Sequence, residues 1–247
     1  MKRKLFSLCL ALLVLSTTLA GCESHQELAF KAVEGKTHSA VTPANRDKPR
    51  HREFNERVKQ GNVDLIFVGD SITHWWEKKG QEVWQEYYGH RNAVNLGIAG
   101  DRTQHVLWRL DNGNIDGISP KVAVVMIGTN NNPPRNTGEE IADGIIAICK
   151  KLRTKLPKTK ILLLGIFPRE PKPCATRAEL AKASKIASRI VDGKMIHYLD
   201  IGDKFLEPDG SISKDVMNDY LHLSTKGYRI WAEAMEAKMA ELMGEKK

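Results

Sequence analysis

The stretch VDLIFVGDSITHWW, residues 63–76, carries an apolar run through Val68, stops on Gly69 and sets Asp70 and Ser71 together at the exit. A run of that length flanked by polar residues reads as a strand covered on both faces. Four further runs read as strands, NAVNLG (92–97), VAVVMIG (122–128), KILLLGI (160–166) and MIHYLDI (195–201), and three of the five are nearly continuous apolar stretches. Their starts lie roughly 30 to 38 residues apart, the spacing of right-handed βαβ units. Helical patterns fill the gaps. The clearest is a stripe at Ile141, Ile145, Ile148, Leu152 and Leu156, with Cys149 beside it as a core residue. Another helix closes the chain, with Trp231, Met235, Met239 and Leu242 on one side and Ser224 or Thr225 as N-cap. RHREFNERVKQG (50–61) is a helix ended by Gly61. The expected fold is a three-layer α/β/α domain over residues 45–247 with a five-stranded parallel sheet.

The first 44 residues read differently. MKRK followed by LFSLCLALLVLSTTLA is a basic n-region and an apolar h-region, the pattern of an export signal over residues 1–21. Leu19-Ala20-Gly21-Cys22 resembles the lipobox of bacterial lipoproteins, which implies a lipidated Cys22, export, and anchoring to the cell envelope rather than membrane spanning. Glu23 fits sorting to the outer membrane. Residues 22–44 are expected to be the lipidated cysteine and a tether.

Of the 247 residues, 38 are Lys or Arg and 30 are Asp or Glu, a formal charge of +8 that falls to +5 once Lys2, Arg3 and Lys4 leave with the signal. No basic strip is interleaved with aromatics, so nucleic acid is not an expected partner. Four cysteines are present; with Cys9 in the signal and Cys22 lipidated, Cys149 and Cys174 are left, paired or free. Asp200, Asp203, Asp209 and Asp215 lack the ligand spacing of a zinc or calcium site. No metal or cofactor is expected, and activity should survive EDTA.

In an open parallel sheet, ligands bind at the carboxyl ends of the strands. Those ends carry Gly69-Asp70-Ser71, GIAGD (97–101), Gly128-Thr129-Asn130 and Phe167-Pro168-Arg169. Of eight histidines, His222 comes with a carboxylate at helix-turn spacing, Asp219, in NDYLHLSTKGY. A carboxylate there can hold the imidazole in the tautomer that accepts a serine proton. Each residue also has a bland reading: Ser71 or Asp70 as a helix cap, Asp219 as a turn former, Asn130 as a loop residue. Their coincidence at strand ends favours a hydrolase with a serine nucleophile. Trp75, Trp76 and Trp84 read more as packing than as a sugar-stacking face, and Arg102 and Arg169 as groups that meet an anionic leaving group or are merely solvated.

The blocks GDSIT, NLGIAGDRT, GTNN and DYLH, in this order, resemble those of the SGNH/GDSL hydrolase family, with a flavodoxin-like sheet. Within it, the runs NLGIAGDRTQHVLWRLDNGNID, LLGIFPR and DYLHLSTKGY are most similar to the catalytic alpha subunits of platelet-activating-factor acetylhydrolase and their bacterial lipoprotein relatives. The resemblance implies Ser71 as nucleophile, His222 as general base and then acid, and Asp219 as its orienter. It implies an oxyanion hole from the N–H groups of Ser71 and Gly100 and the Asn130 amide. By the same resemblance Ile72, Thr129 and Leu221 line the acyl pocket, and their bulk suits a short acyl group such as acetyl. Asp70 is implied to be structural. The expected function is a serine esterase that removes short acyl groups from an extracytoplasmic carbohydrate or lipid. The alternatives are a lysophospholipase or thioesterase with a longer acyl site, or a non-catalytic carbohydrate-binding lipoprotein. A homodimer is left open, because the subunits it resembles pair.

Overall fold

The structure is a computed structural model that describes residues 24–132 and 134–245. Five parallel strands, β1 (Leu65–Gly69), β2 (Ala93–Asn95), β3 (Val122–Met126), β4 (Lys160–Leu164) and β5 (Ile196–Leu199), form one sheet in the order β2-β1-β3-β4-β5. The order reverses between β1 and β3, so the crevice of this fold opens beyond Gly69 and Met126.

Because successive strand side chains point to opposite faces, each apolar run feeds two cores. Ile66, Val68, Ala123, Val125, Ile161 and Leu163 face helices α2 (Pro49–Lys59), α5 (Thr103–Asp111), α6 (Gly138–Lys155) and α7 (Ala175–Ala187). Leu65, Phe67, Val122, Val124, Met126, Leu162 and Leu164 face α3 (Ser71–His74), α4 (Gln81–Tyr88) and α8 (Thr225–Met243). This second core is aromatic: the Phe67 ring lies 4.9 Å from both Trp84 and Tyr88, and Trp76 and Trp231 are fully buried. Trp76 and Trp84 are thus packing residues. The expected stripe on α6 is buried, and Thr137 with Glu140 forms a capping box at its start. Ser224, not Thr225, caps α8, accepting from the Gly227 N–H at 3.2 Å.

The expected tether is corrected from residue 24 onward. Ser24 and Glu27 form a capping box that starts α1 (His25–Ala32), and Gln26 Nε2 donates to Ile190 O at 3.0 Å. Val33 and Ala40 are buried, and the Thr103 hydroxyl donates to Ala40 O at 2.7 Å. Lys36 and His38 both reach Asp143, at 2.6 and 3.0 Å. A stretch with little apolar periodicity is therefore fixed by its caps and by long-range polar contacts. The signal segment and Cys22 lie outside the described residues. Cys149, buried in α6, and Cys174, exposed before α7, are both free thiols. Among the described residues no helix is long and apolar enough to cross a membrane.

Candidate active site

Both readings of the β1 exit hold at once. Asp70 caps α3, its Oδ1 accepting the Ile72 N–H at 3.0 Å, and Ser71 is the first residue of the helix. A first-turn N–H has no partner within its own helix, so Ser71 offers a hydroxyl and a backbone donor at one point. Gly69 is needed less for a turn than for close approach: a Cβ there would stand 2.5 Å from the Met126 carbonyl on β3 and would overlap Thr73 of α3. Asp70 bonds its own helix rather than neighbouring loops, and its Oδ2 is buried without a partner. Burial pushes this carboxyl up to about 7, against the pull of the Ile72 N–H.

Asp219 and His222 stand on the turn before α8, the histidine 151 residues beyond Ser71. Asp219 Oδ1 accepts the N–H groups of Leu221 and His222 at 3.1 and 2.7 Å, which closes the turn around Tyr220 in its left-handed conformation (φ 59°). Its other oxygen, Oδ2, lies 2.7 Å from His222 Nδ1. Burial raises the Asp219 carboxyl, but the hydrogen bonds from the His222 ring and backbone outweigh it and hold the group below the ordinary carboxylate range. A carboxylate on Nδ1 assigns the proton to that nitrogen and leaves Nε2 as the acceptor, 2.9 Å from Ser71 Oγ.

The loop after β2 completes the arrangement. Gly100 has φ 79°, a conformation that disfavours any side chain, and a Cβ there would meet Arg46 Nη2 at 3.4 Å. Arg46 donates to Ala99 O at 2.7 Å and to Asp101 Oδ1 at 2.6 Å, and Arg50 donates to Gly97 O at 2.8 Å. Arg109, wholly buried, donates to Asp101 Oδ2 at 2.8 Å. Two imidazoles accept loop N–H groups through Nδ1: His74 from Ala99 at 3.3 Å and His105 from Arg102 at 3.1 Å. Burial disfavours the charged form of both rings and brings His105 down to about 4, which suits their role as acceptors. Asn130 Nδ2 donates one hydrogen to Asp101 O at 2.9 Å, which leaves the second for another acceptor.

Of the expected acyl-pocket residues, Ile72 and Thr129 are buried and Leu221 is half-buried against the aromatic core. Arg169 leans on Thr129, with Nη1 3.4 Å from its hydroxyl. One residue of the site escaped the sequence reading in its position: Trp75 stacks on the His222 ring, centroids 4.0 Å apart and planes 24° from parallel. Its only sequence signal is a spacing of one helical turn from Ser71. A cavity of about 470 Å³ opens beyond β4 and β5, lined by Phe167, Arg177, Ser184 and Asp200 among others. Two of its polar side chains are already engaged: Asp200 accepts from Tyr198 and Gly202, and Arg177 donates to three carbonyls.

Comparison with known proteins identifies the family. Residues 67–230 match the GDSL-like Lipase/Acylhydrolase family. The chain is 39% identical over 198 residues to platelet-activating factor acetylhydrolase IB subunit alpha2 of Rattus norvegicus, covering 79% of this chain and 84% of the relative. To the alpha1 subunit of Homo sapiens it is 35% identical over 196 residues, 79% and 83% of the two chains. In fold it is similar to an acetyl xylan esterase, AlAXEase (TM-score 0.61, 20% identity, 71% of this chain and 99% of that one). It is similar also to a GDSL-like lipase from Bacteroides thetaiotaomicron (TM-score 0.58, 18% identity, 78% and 96%). The chain belongs to the GDSL-like lipase/acylhydrolase family and is an ester hydrolase.

Proposed function

We propose that this protein is a serine esterase that removes short acyl groups, acetyl foremost, from a carbohydrate or lipid outside the cytoplasm, held at the envelope by a lipidated Cys22. The observation that carries the mechanism is the relay from Asp219 through His222 to Ser71, at 2.7 and 2.9 Å. Ser71 Oγ attacks the acyl carbon as its proton passes to His222 Nε2, and the resulting imidazolium faces Asp219. The oxyanion that forms is met by the N–H groups of Ser71 and Gly100 and the second hydrogen of the Asn130 amide. Collapse sends the proton from His222 to the leaving alkoxide, and water repeats the sequence to free the acid. Ile72, Thr129 and Leu221 would close the acyl side. What supports acetyl is the naming of the relatives as acetylhydrolases and their 35–39% identity to this chain. What supports export is the n-region, h-region and lipobox order of residues 2–22.

The test compares wild type with Ser71→Ala on p-nitrophenyl acetate, butyrate and octanoate, then on acetylated xylan and an acetyl glycerophospholipid. Loss of the nucleophile should cost on the order of 10⁴- to 10⁶-fold in kcat. Equal, slow rates for both proteins would abandon the esterase mechanism for a binding role, and a preference for octanoate would abandon acetyl. Mass spectrometry of the membrane fraction should find a diacylglyceryl group on Cys22; an unmodified leader would remove the anchor.

A further inference from the structure

The His222 ring is held in its plane at both nitrogens, by Asp219 at Nδ1 and Ser71 at Nε2. Both bonds act at the ring edge and leave the support of its faces to other groups. The Asp219 side chain is 54% exposed, so solvent reaches the pair from the turn side. One face of the ring is covered. Trp75 lies one turn after Ser71, donates its backbone N–H to Ser71 O, and lays its indole against the imidazole at 4.0 Å. Trp76 is wholly buried and pins the segment. The element that begins with the nucleophile therefore ends with a wall for the base.

We propose that Trp75 is a positioning residue for catalysis: its indole fixes the plane of His222 and favours the imidazolium that forms when the serine proton arrives. The inference rests on His222 being the general base. The negative face of an indole attracts a cation far more than a neutral ring, so the contact is worth more in the transition state than in the resting enzyme. Other groups bear on the same charge. Asp219 favours it from the turn. Lys78, whose Nζ is 5.6 Å from the Trp75 centroid, opposes it. Arg169 and Glu170 stand on the loop that bonds Tyr220 O, Lys214 lies over the Tyr220 ring, and Asp70 sits behind Ser71. The indole also shields the imidazole from water, which works against the cation.

The experiment uses the full chain with p-nitrophenyl acetate between pH 5 and 9. Trp75→Ala should lose about 3- to 30-fold in kcat with KM nearly unchanged, and the acid limb of kcat/KM should move to lower pH, because removing a group that favours the cation makes the base harder to protonate. Trp75→Phe, which keeps an aromatic face, should recover most of both. Wild-type indole emission should fall as His222 protonates, with a midpoint matching the acid limb, and His222→Gln should abolish that step. Wild-type kcat in Trp75→Ala, an acid limb that stays or moves up, or an equal loss in the Phe variant would overturn the proposal. If His222→Gln itself keeps full activity, the general-base reading fails first, and the two failures are told apart. Should the Ala variant misfold, the Phe variant and the emission titration decide alone.

Discussion

The Gly97–Asp101 loop and the Asp219–His222 turn meet at Ser71 but are held in place differently. Asp101 is completely buried, and Arg46, Arg109 and Asn130 all bind it from separate segments of the chain. The turn is half open to solvent and is closed mainly by its own residues, Asp219 with the N–H groups of Leu221 and His222. On the proposed mechanism the loop aims donors at an oxyanion, and these must be set before the charge appears, because reorientation at that moment costs the stabilisation they would give. The turn would carry a base that moves a proton twice and needs water and an alcohol to reach it. Burial suits the first task and exposure the second.

The comparison predicts that substitutions in the turn cost activity and those under the loop cost stability. Asp219→Asn should lower kcat by about 10⁴-fold, about 5.5 kcal/mol, since the amide keeps the turn but favours the wrong imidazole tautomer. Its urea midpoint should match wild type; a large drop would show that the turn is part of the stability core after all. Asp101→Asn should cost about 3–5 kcal/mol in urea unfolding, because it leaves the buried Arg109, whose Nη2 already lacks a partner, without its carboxylate. Unchanged stability would mean the loop is not held by that pair. Asn130→Ala sits between the two and should lose about 10²- to 10³-fold in kcat with KM little altered.

The smallest effect sharpens the boundary between the halves. Asp70 has its carboxyl raised from 3.8 to about 7 in the folded chain. The unfolded chain therefore releases this proton first, and folding loses stability as pH rises from about 4 to 7 and stays penalised above. Asp70→Asn keeps the cap on Ile72 and should gain about 1–3 kcal/mol at pH 8, with an advantage that shrinks toward pH 4. Thermal melts across that range check it; a flat difference would show that Asp70 is ionised in the folded state throughout.

The strands were legible because parallel strands covered on both faces must be apolar along their whole length, as Leu65–Val68 and Val122–Met126 are. Ser71, Asp219 and His222 could be picked out because each lies beside its structural device, a strand end or a turn. Helix α1 was missed although Ser24 and Glu27 spell a capping box, because eight residues with no fully buried side chain carry no apolar period to read. Gly69 shows in the sequence only as the end of an apolar run, whereas the proximity that demands a glycine there comes from Met126, 57 residues away.

By itself the sequence determined the layers, the number and order of the strands to within a few residues of their ends, and the family, since each is written in local pattern or motif. Only the tertiary structure decided that Arg46 and Arg109 grip the same aspartate, that Asp70 is held near neutrality, and that Trp75 rather than Trp76 or Trp84 faces the base. Those are facts of burial and contact between distant segments. A charge or an aromatic ring takes its energy from what surrounds it, and the chain fixes those surroundings only on folding.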